Sequence, residues 1–292
     1  MLNYDMPLYR PPSEGRNLII QVTYGCSFNQ CSFCSMYREK RYQARPLEEV
    51  FQEIEQAALQ WPGAHRVFLA DGDALALPTA QLIAILERLA ARFPKLARVS
   101  CYATPSNILH KSAAELERLK AHKLTLLYLG VESGAGKILK KITKGATPSG
   151  ITKAMQRAYD ANMKVSATVI LGLGGQQYWQ EHVEGTVEVI NSAPLSYLST
   201  LQLGVEPEIY GEFERKFGEP FQWQDDLAML EEQRYLIEHI DPPKPLIFRS
   251  NHASNALALA GNLPRDRERL LQQIEQVMSG EGEVRPQLLR GF

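Results

Sequence analysis

The sequence lacks any apolar run approaching the roughly 18 residues of a membrane-spanning helix, and its opening stretch MLNYDMPLYRPPSEG has no basic segment followed by an apolar one. Neither a membrane span nor an export signal is expected, and the expected location is the cytoplasm. A charge excess is missing as well: 32 Lys and Arg stand against 33 Asp and Glu, a formal net charge of -1. No global field therefore favours nucleic acid or an anionic membrane. The local exception is a small basic segment of Arg38, Lys40, Arg41 and Arg45. Cysteine is scarce, with three of the four packed between positions 26 and 34 and Cys101 standing alone. That distribution does not make a disulfide framework, and a reducing cytosol would not keep one oxidised. There is also no low-complexity segment and no internal repeat beyond a strand-helix alternation.

What is present, 292 residues with 45% hydrophobic content, suffices for one large core, or one core and an appendage. Short aliphatic runs recur at residues 18–22, 67–70, 99–102, 125–129, 165–171 and 197–201, and they read as six buried parallel strands. Helices fall between them. Pro46 suits a helix start and Leu47, Val50, Phe51 and Ile54 repeat at helical spacing. Leu82, Leu86, Leu89 and Phe93 mark a second helix closed by Pro94, and residues 112–120 and 150–161 supply two more, with Asn162 as an end signal. Six βα units in order predict an α/β fold, a partial (β/α)6 TIM-like barrel, because a full eight-stranded barrel needs about 250 residues and the alternation fades after Leu203. Residues 1–205 are expected to form this barrel. Residues 206–292 are expected to form a C-terminal helical extension packed on it, with helices near 225–240 and 265–278.

The three clustered cysteines read C-S-F-N-Q-C-S-F-C from Cys26 through Cys31 to Cys34, directly after the first strand, where the C-terminal mouth of a barrel collects its active-site residues. Three thiolates hold three irons of a [4Fe-4S] cube and leave the fourth iron to an exogenous ligand. A structural zinc site is the alternative, and it would take a fourth ligand from far along the chain, such as His252 or Cys101, because no His lies near the loop.

GCSFNQCSFC, DGD after the second strand, GVESG after the fourth and VILGLGG after the fifth together resemble the radical SAM superfamily, in the branch of methylthiotransferases and oxygen-independent coproporphyrinogen oxidases. One departure is that the family spacing is CxxxCxxC, whereas four residues separate Cys26 from Cys31 here. The resemblance implies a [4Fe-4S] cluster on Cys26, Cys31 and Cys34 and S-adenosylmethionine (SAM) as cosubstrate. The cluster would cleave SAM to a 5′-deoxyadenosyl radical that takes hydrogen from a substrate, with electrons from a reductase such as flavodoxin or ferredoxin.

The resemblance also implies site residues. Asp71, Gly72 and Asp73 stand in the GGE place that holds the methionine amino group, with Asp73 in the carboxylate position; the alternative for Asp73 is a turn residue before Pro78. Glu132 and Ser133 match the pair that meets the ribose and the methionyl end, and Lys144 stands where relatives place an Arg facing the methionine carboxylate, unless it is simply on the wet face of a helix. Phe33 occupies the aromatic place that passes the adenine edge along the backbone, Leu171 forms the apolar wall under the ring, and Thr104 is an extra contact. Cys101 reads as a small buried hydrophobe. His252, in FRSNHASN, reaches substrate or closes a structural loop. The lack of a second cysteine cluster argues against a methylthiotransferase or an auxiliary-cluster maturase; a small-molecule substrate is expected, and the near-neutral charge does not indicate nucleic acid. A non-catalytic iron-sulfur or zinc carrier is the alternative from another class.

Overall fold

The computed structural model describes residues 2–291, and the chain divides into two compact units. One takes residues up to Asn29, Met36–Leu129 and Arg157–Val165; the other takes Gln30–Ser35, Gly130–Gln156 and Ser166 onward.

In chain order, the elements begin with β1 (Leu18–Gln21), the short β2 (Thr23–Tyr24) and β3 (Gln43–Ala44), α1 (Leu47–Gln60), β4 (Arg66–Ala70) and α2 (Thr79–Arg92). They continue with β5 (Arg98–Ala103), α3 (Pro105–His110), α4 (Ala113–Ala121) and β6 (Leu124–Glu132). Within the first unit β1, β4, β5 and the start of β6 lie side by side, all parallel, with Ile20 opposite Leu69 and Cys101 opposite Leu127. β2 and β3 form a separate antiparallel pair. The aliphatic runs form strands because both faces are covered: Ile20, Phe68, Leu69 and Leu127 are fully buried. α1 buries Val50, Ile54 and Ala57, and α2 buries Leu82, Ile85, Leu86 and Leu89, one stripe of each helix. Ser112 and Glu115 make a capping box that starts α4.

The elements of the second half are α5 (Gly136–Lys141), α6 (Pro148–Asp160), β7 (Lys164–Leu171), α7 (Gly175–Asn191), β8 (Tyr197–Gln202), α8 (Pro207–Phe217) and α9 (Asp226–His239), then β9 (Leu246–Ser250), β10 (Leu259–Leu263) and α10 (Arg267–Met278). Asn162 ends α6 in the left-handed region with φ 57, the conformation that Asn tolerates better than most residues. In the second unit β7 and β8 are parallel, β9 joins β8 in parallel and β10 returns antiparallel to β9.

All six expected strands are present, and the extension contains the two expected helices as α9 and α10. It holds more than helices. α8 precedes them, and β9 and β10 continue the sheet beyond β8. Gly261 in the middle of β10 and Arg249 in β9 interrupt the aliphatic pattern, which is why these strands do not stand out in the sequence.

Candidate functional site

The segment leaving β1 is held by the residues leaving β4. Asp71 Oδ2 accepts from Gly25 N at 3.2 Å, Gly72 N donates to Gly25 O at 3.1 Å, and Asp73 Oδ1 accepts from Ser27 N at 2.8 Å while its Oδ2 takes the Ser27 hydroxyl. Asp71, Gly72 and Asp73 thus form a bracket around Cys26. Both carboxylates are fully buried, and burial pushes their pKa values up against the hydrogen bonds that favour the charged forms. A Cβ on Gly72 would meet Cys26 Cβ at 2.7 Å, so only glycine permits this approach. The sequence signals the DGD motif but not that it grips the cysteine loop.

Asn29, within the longer spacing between Cys26 and Cys31, takes a left-handed φ of 42 and donates from Nδ2 to Tyr37 O at 2.7 Å and Lys40 O at 3.3 Å. Its amide fastens the loop to the following turn. Lys40 in that turn pairs with Asp5 at 3.0 Å and Asp71 at 3.4 Å, and Arg45 pairs with Glu53. Half of the basic segment is therefore spent inside the first unit.

In the second unit, Cys34 N donates to Cys31 O at 3.2 Å and closes the turn between them, while Ser32 N donates to Ile142 O at 2.9 Å. Phe33 packs against a cluster that includes Ile138, Ile142, Phe213, Phe217 and Phe221. Lys216 on α8 donates to Gln30 O at 3.0 Å, so the extension holds this stretch too. Glu132 ends β6 with φ 63, and its Oε1 accepts from Lys144 Nζ at 2.8 Å, both side chains being about 10% exposed. Gly130 leaves the space: a Cβ there would stand 2.0 Å from Glu132 Oε1. Burial works against the Lys144 charge, but Glu132, Cys31 and Cys34 overcome it and hold the ammonium well above its ordinary pKa. Lys144 is thus an inward cation and not part of a wet helix face.

Ser133 Oγ accepts from Ala135 N at 3.1 Å and pairs with His182 Nδ1 at 2.8 Å. Leu171 is buried at the end of β7, and the next residue, Gly172, has φ 80 and donates its N–H to Glu232 Oε2 on α9 at 2.7 Å. Neither His182 nor Glu232 is legible as a site residue in the sequence, since each lies inside an amphipathic helix with no motif around it.

Thr104 caps α3 by accepting from Asn107 N at 3.1 Å, while Asn107 Oδ1 accepts from Thr104 N at 2.8 Å. Cys101 is fully buried in β5, and burial pushes its thiol up to about 12, as suits a small buried hydrophobe. His252 Nδ1 pairs with Ser254 Oγ at 2.8 Å and its carbonyl accepts from Arg285 at 2.9 Å, the arrangement of a structural turn.

Among the described residues, no three His, Cys, Asp or Glu side chains are drawn together into a single-ion site. The donor set still suits an iron-sulfur cube: three partly exposed thiols on one loop, two of them influenced by the Lys144 cation, with none of the four cysteines in a disulfide. Among the same residues no helix is long and apolar enough to cross a membrane.

A family model described as the radical SAM superfamily matches residues 20–189. The tRNA-2-methylthio-N(6)-dimethylallyladenosine synthase of Orientia tsutsugamushi is 24% identical over 227 residues, 75% of this chain and 49% of that protein. The chain spans half or less of the curated relatives it matches, between 39% and 49% of the leading ones. Among solved structures, coproporphyrinogen III oxidase from Escherichia coli, described as a radical SAM enzyme, superposes with TM-score 0.52 at 14% identity over 94% of this chain and 71% of that one. Methylornithine synthase superposes with TM-score 0.53 at 14% identity, covering 92% and 83%. At such identity the likeness speaks for the fold alone, and it agrees with a partial barrel.

Proposed function

The chain belongs to the radical SAM superfamily, and from that premise we propose that it is an enzyme that carries a [4Fe-4S] cluster on Cys26, Cys31 and Cys34, cleaves SAM reductively and abstracts hydrogen from a small-molecule substrate. The observation that carries the reading is the match itself, because residues 20–189 include the cysteine loop, the DGD segment, Glu132, Ser133, Lys144 and Leu171. When bound, a cluster of this kind supplies one electron to the SAM sulfonium, which splits into methionine and a 5′-deoxyadenosyl radical.

The chain's own residues place SAM and keep water away. Lys144, already paired with Glu132, offers its remaining N–H donors to the methionine carboxylate. Asp73 accepts from the Ser27 N–H and hydroxyl and from Asn107, and of a carboxylate's about four acceptor sites the remaining one, with the strand-end carbonyls, accepts from the methionine ammonium. Glu132 and Ser133 face the ribose and the methionyl end. Gly72 gives the backbone close approach, Asp71 fixes the loop through Gly25, and Thr104 adds a contact. Phe33 presents its backbone to the adenine edge, while buried Leu171 lies under the ring and limits side reactions with solvent. A flavodoxin- or ferredoxin-like reductase in the cytoplasm supplies the electron.

The internal ion pairs of Lys40 and Arg45 favour a small substrate. tRNA, for which the Orientia relative is named, is the second reading. The test is anaerobic reconstitution followed by dithionite and SAM. About four irons per chain and slow release of 5′-deoxyadenosine are expected. Cys26→Ala, Cys31→Ala and Cys34→Ala abolish that product, and Cys101→Ala does not. A full, reducible cluster with neither SAM binding nor 5′-deoxyadenosine release would replace this reading with that of a cluster carrier. Labelled SAM with cell extract separates the substrates, by label in a metabolite or in tRNA.

A further inference from the structure

Two buried ionisable side chains have no part in the reading above. His182 sits on α7 and Glu232 on α9, both fully buried, with His182 Nε2 3.9 Å from Glu232 Oε2. Each reaches the end of a different strand. His182 Nδ1 meets Ser133 Oγ at 2.8 Å beyond β6, and Glu232 Oε2 takes the Gly172 N–H at 2.7 Å beyond β7. Thr186, one turn along α7, accepts from Gly134 N at 2.9 Å and donates to the His182 carbonyl at 2.6 Å, so the same helix holds two successive residues after β6. A Cβ on Gly134 would stand 2.0 Å from Gly185 O, which makes the contact between α7 and this segment one of backbone against backbone.

The pair is a poor device for stability. Burial works against the charged form of both, lowering the His182 pKa to about 4 and raising that of Glu232 to about 8, and ionisable groups buried in this way cost more than apolar residues of similar volume would. What they do provide is geometry, at the two strand ends assigned to the ribose and the adenine. We propose that His182 and Glu232 are positioning residues that fix Ser133 and Gly172 in their ligand-binding arrangement before SAM arrives. This rests on the reading of those strand ends as part of a SAM site. α9, in the C-terminal extension, thereby becomes part of the nucleotide site without touching the nucleotide, and the gain is lower ordering cost at binding.

The test uses the reconstituted holoprotein and SAM itself, with affinity from anaerobic equilibrium dialysis and iron content measured alongside. His182→Phe and Glu232→Leu keep volume and remove the hydrogen bonds, whereas His182→Asn and Glu232→Gln keep polar atoms near the original places. The expected result is a roughly tenfold loss of SAM affinity in each apolar variant at unchanged iron content, with recovery to near wild type in each polar one. Adding His182→Phe to Ser133→Ala should cost little more, because the side chain that His182 positions is already gone. Wild-type affinity in both apolar variants, or equal losses in the apolar and polar ones, would overturn the positioning role. Wild-type protein that binds no SAM would overturn the reading of the site instead. If an apolar variant does not fold, deuterium uptake over residues 131–135 and 169–175 of the wild type decides. Slow uptake before SAM is added supports positioning, and fast uptake that slows only with SAM refutes it.

Discussion

Gly72→Ala places one methyl group where the structure has no room. The new carbon would stand 2.7 Å from Cys26 Cβ, 2.8 Å from Gly25 O and 2.9 Å from Cys26 Cα. Carbon atoms in contact settle at about 3.5–4.0 Å, so about 1 Å of movement is required. The obstacle is backbone and the root of a side chain, and no rotamer change removes it. Because Asp71, Gly72 and Asp73 all bind residues 25–27, the strain passes directly to Cys26. Overpacking of this kind costs about 1–3 kcal/mol, which for a chain of this size lowers the apoprotein melting temperature by roughly 2–10 °C. The effect on metal loading should be larger, since ligand distances tolerate only about 0.2 Å. Iron and sulfide per chain after anaerobic reconstitution are expected to fall below half of wild type, while circular dichroism still reports a folded apoprotein. Full iron content and wild-type SAM affinity in Gly72→Ala would refute the bracket around Cys26.

Asp73→Ala and Glu132→Ala should differ. Loss of the Ser27 contacts lowers iron content as well as SAM affinity, whereas Glu132→Ala lowers only SAM affinity; equal iron content in the two variants would count against the Asp73 role. Lys144→Met leaves the Glu132 carboxylate buried without its cation and should weaken SAM binding at least tenfold in dialysis, with partial recovery in Lys144→Arg. Burial raises the Glu232 carboxyl from 4.5 to about 8. The folded chain then keeps a proton that the unfolded chain has lost, so this group lowers apoprotein stability as pH rises from about 4.5 to about 8, with no further change above. Urea midpoints at about pH 5.5 and pH 8.5 should show a smaller alkaline loss in Glu232→Gln than in wild type.

The parallel strands are legible in the sequence because burial on both faces demands unbroken aliphatic runs, as in Leu126, Leu127 and Leu129 of β6. α8 is not recognised, although Ile209, Phe213 and Phe217 repeat at helical spacing between Pro207 and the left-handed Gly218. Its aromatic residues and flanking prolines resemble those of an irregular segment. At the site, motif order picks out the DGD segment, Glu132, Ser133 and Lys144, but hydrogen bonding across the fold decides what each side chain holds. Asp73 against Ser27 spans 46 residues of sequence, and Ser133 against His182 spans 49. No local pattern carries such pairings.

The backbone of Glu132 imposes an opposing pair of selective pressures. A side-chain-bearing residue at φ 63 carries a conformational penalty that glycine would not, of order 1 kcal/mol or more. A library screened only for heat resistance should therefore favour glycine or asparagine at this position only together with an apolar residue at position 144, because Glu132→Gly alone would leave the buried Lys144 ammonium without its partner; such double survivors would lack both members of the pair. A library screened for turnover should retain glutamate and accept the lower melting point. Thermal robustness and SAM chemistry would then pull position 132 in opposite directions, so a stabilised form of this protein would need its added stability introduced elsewhere.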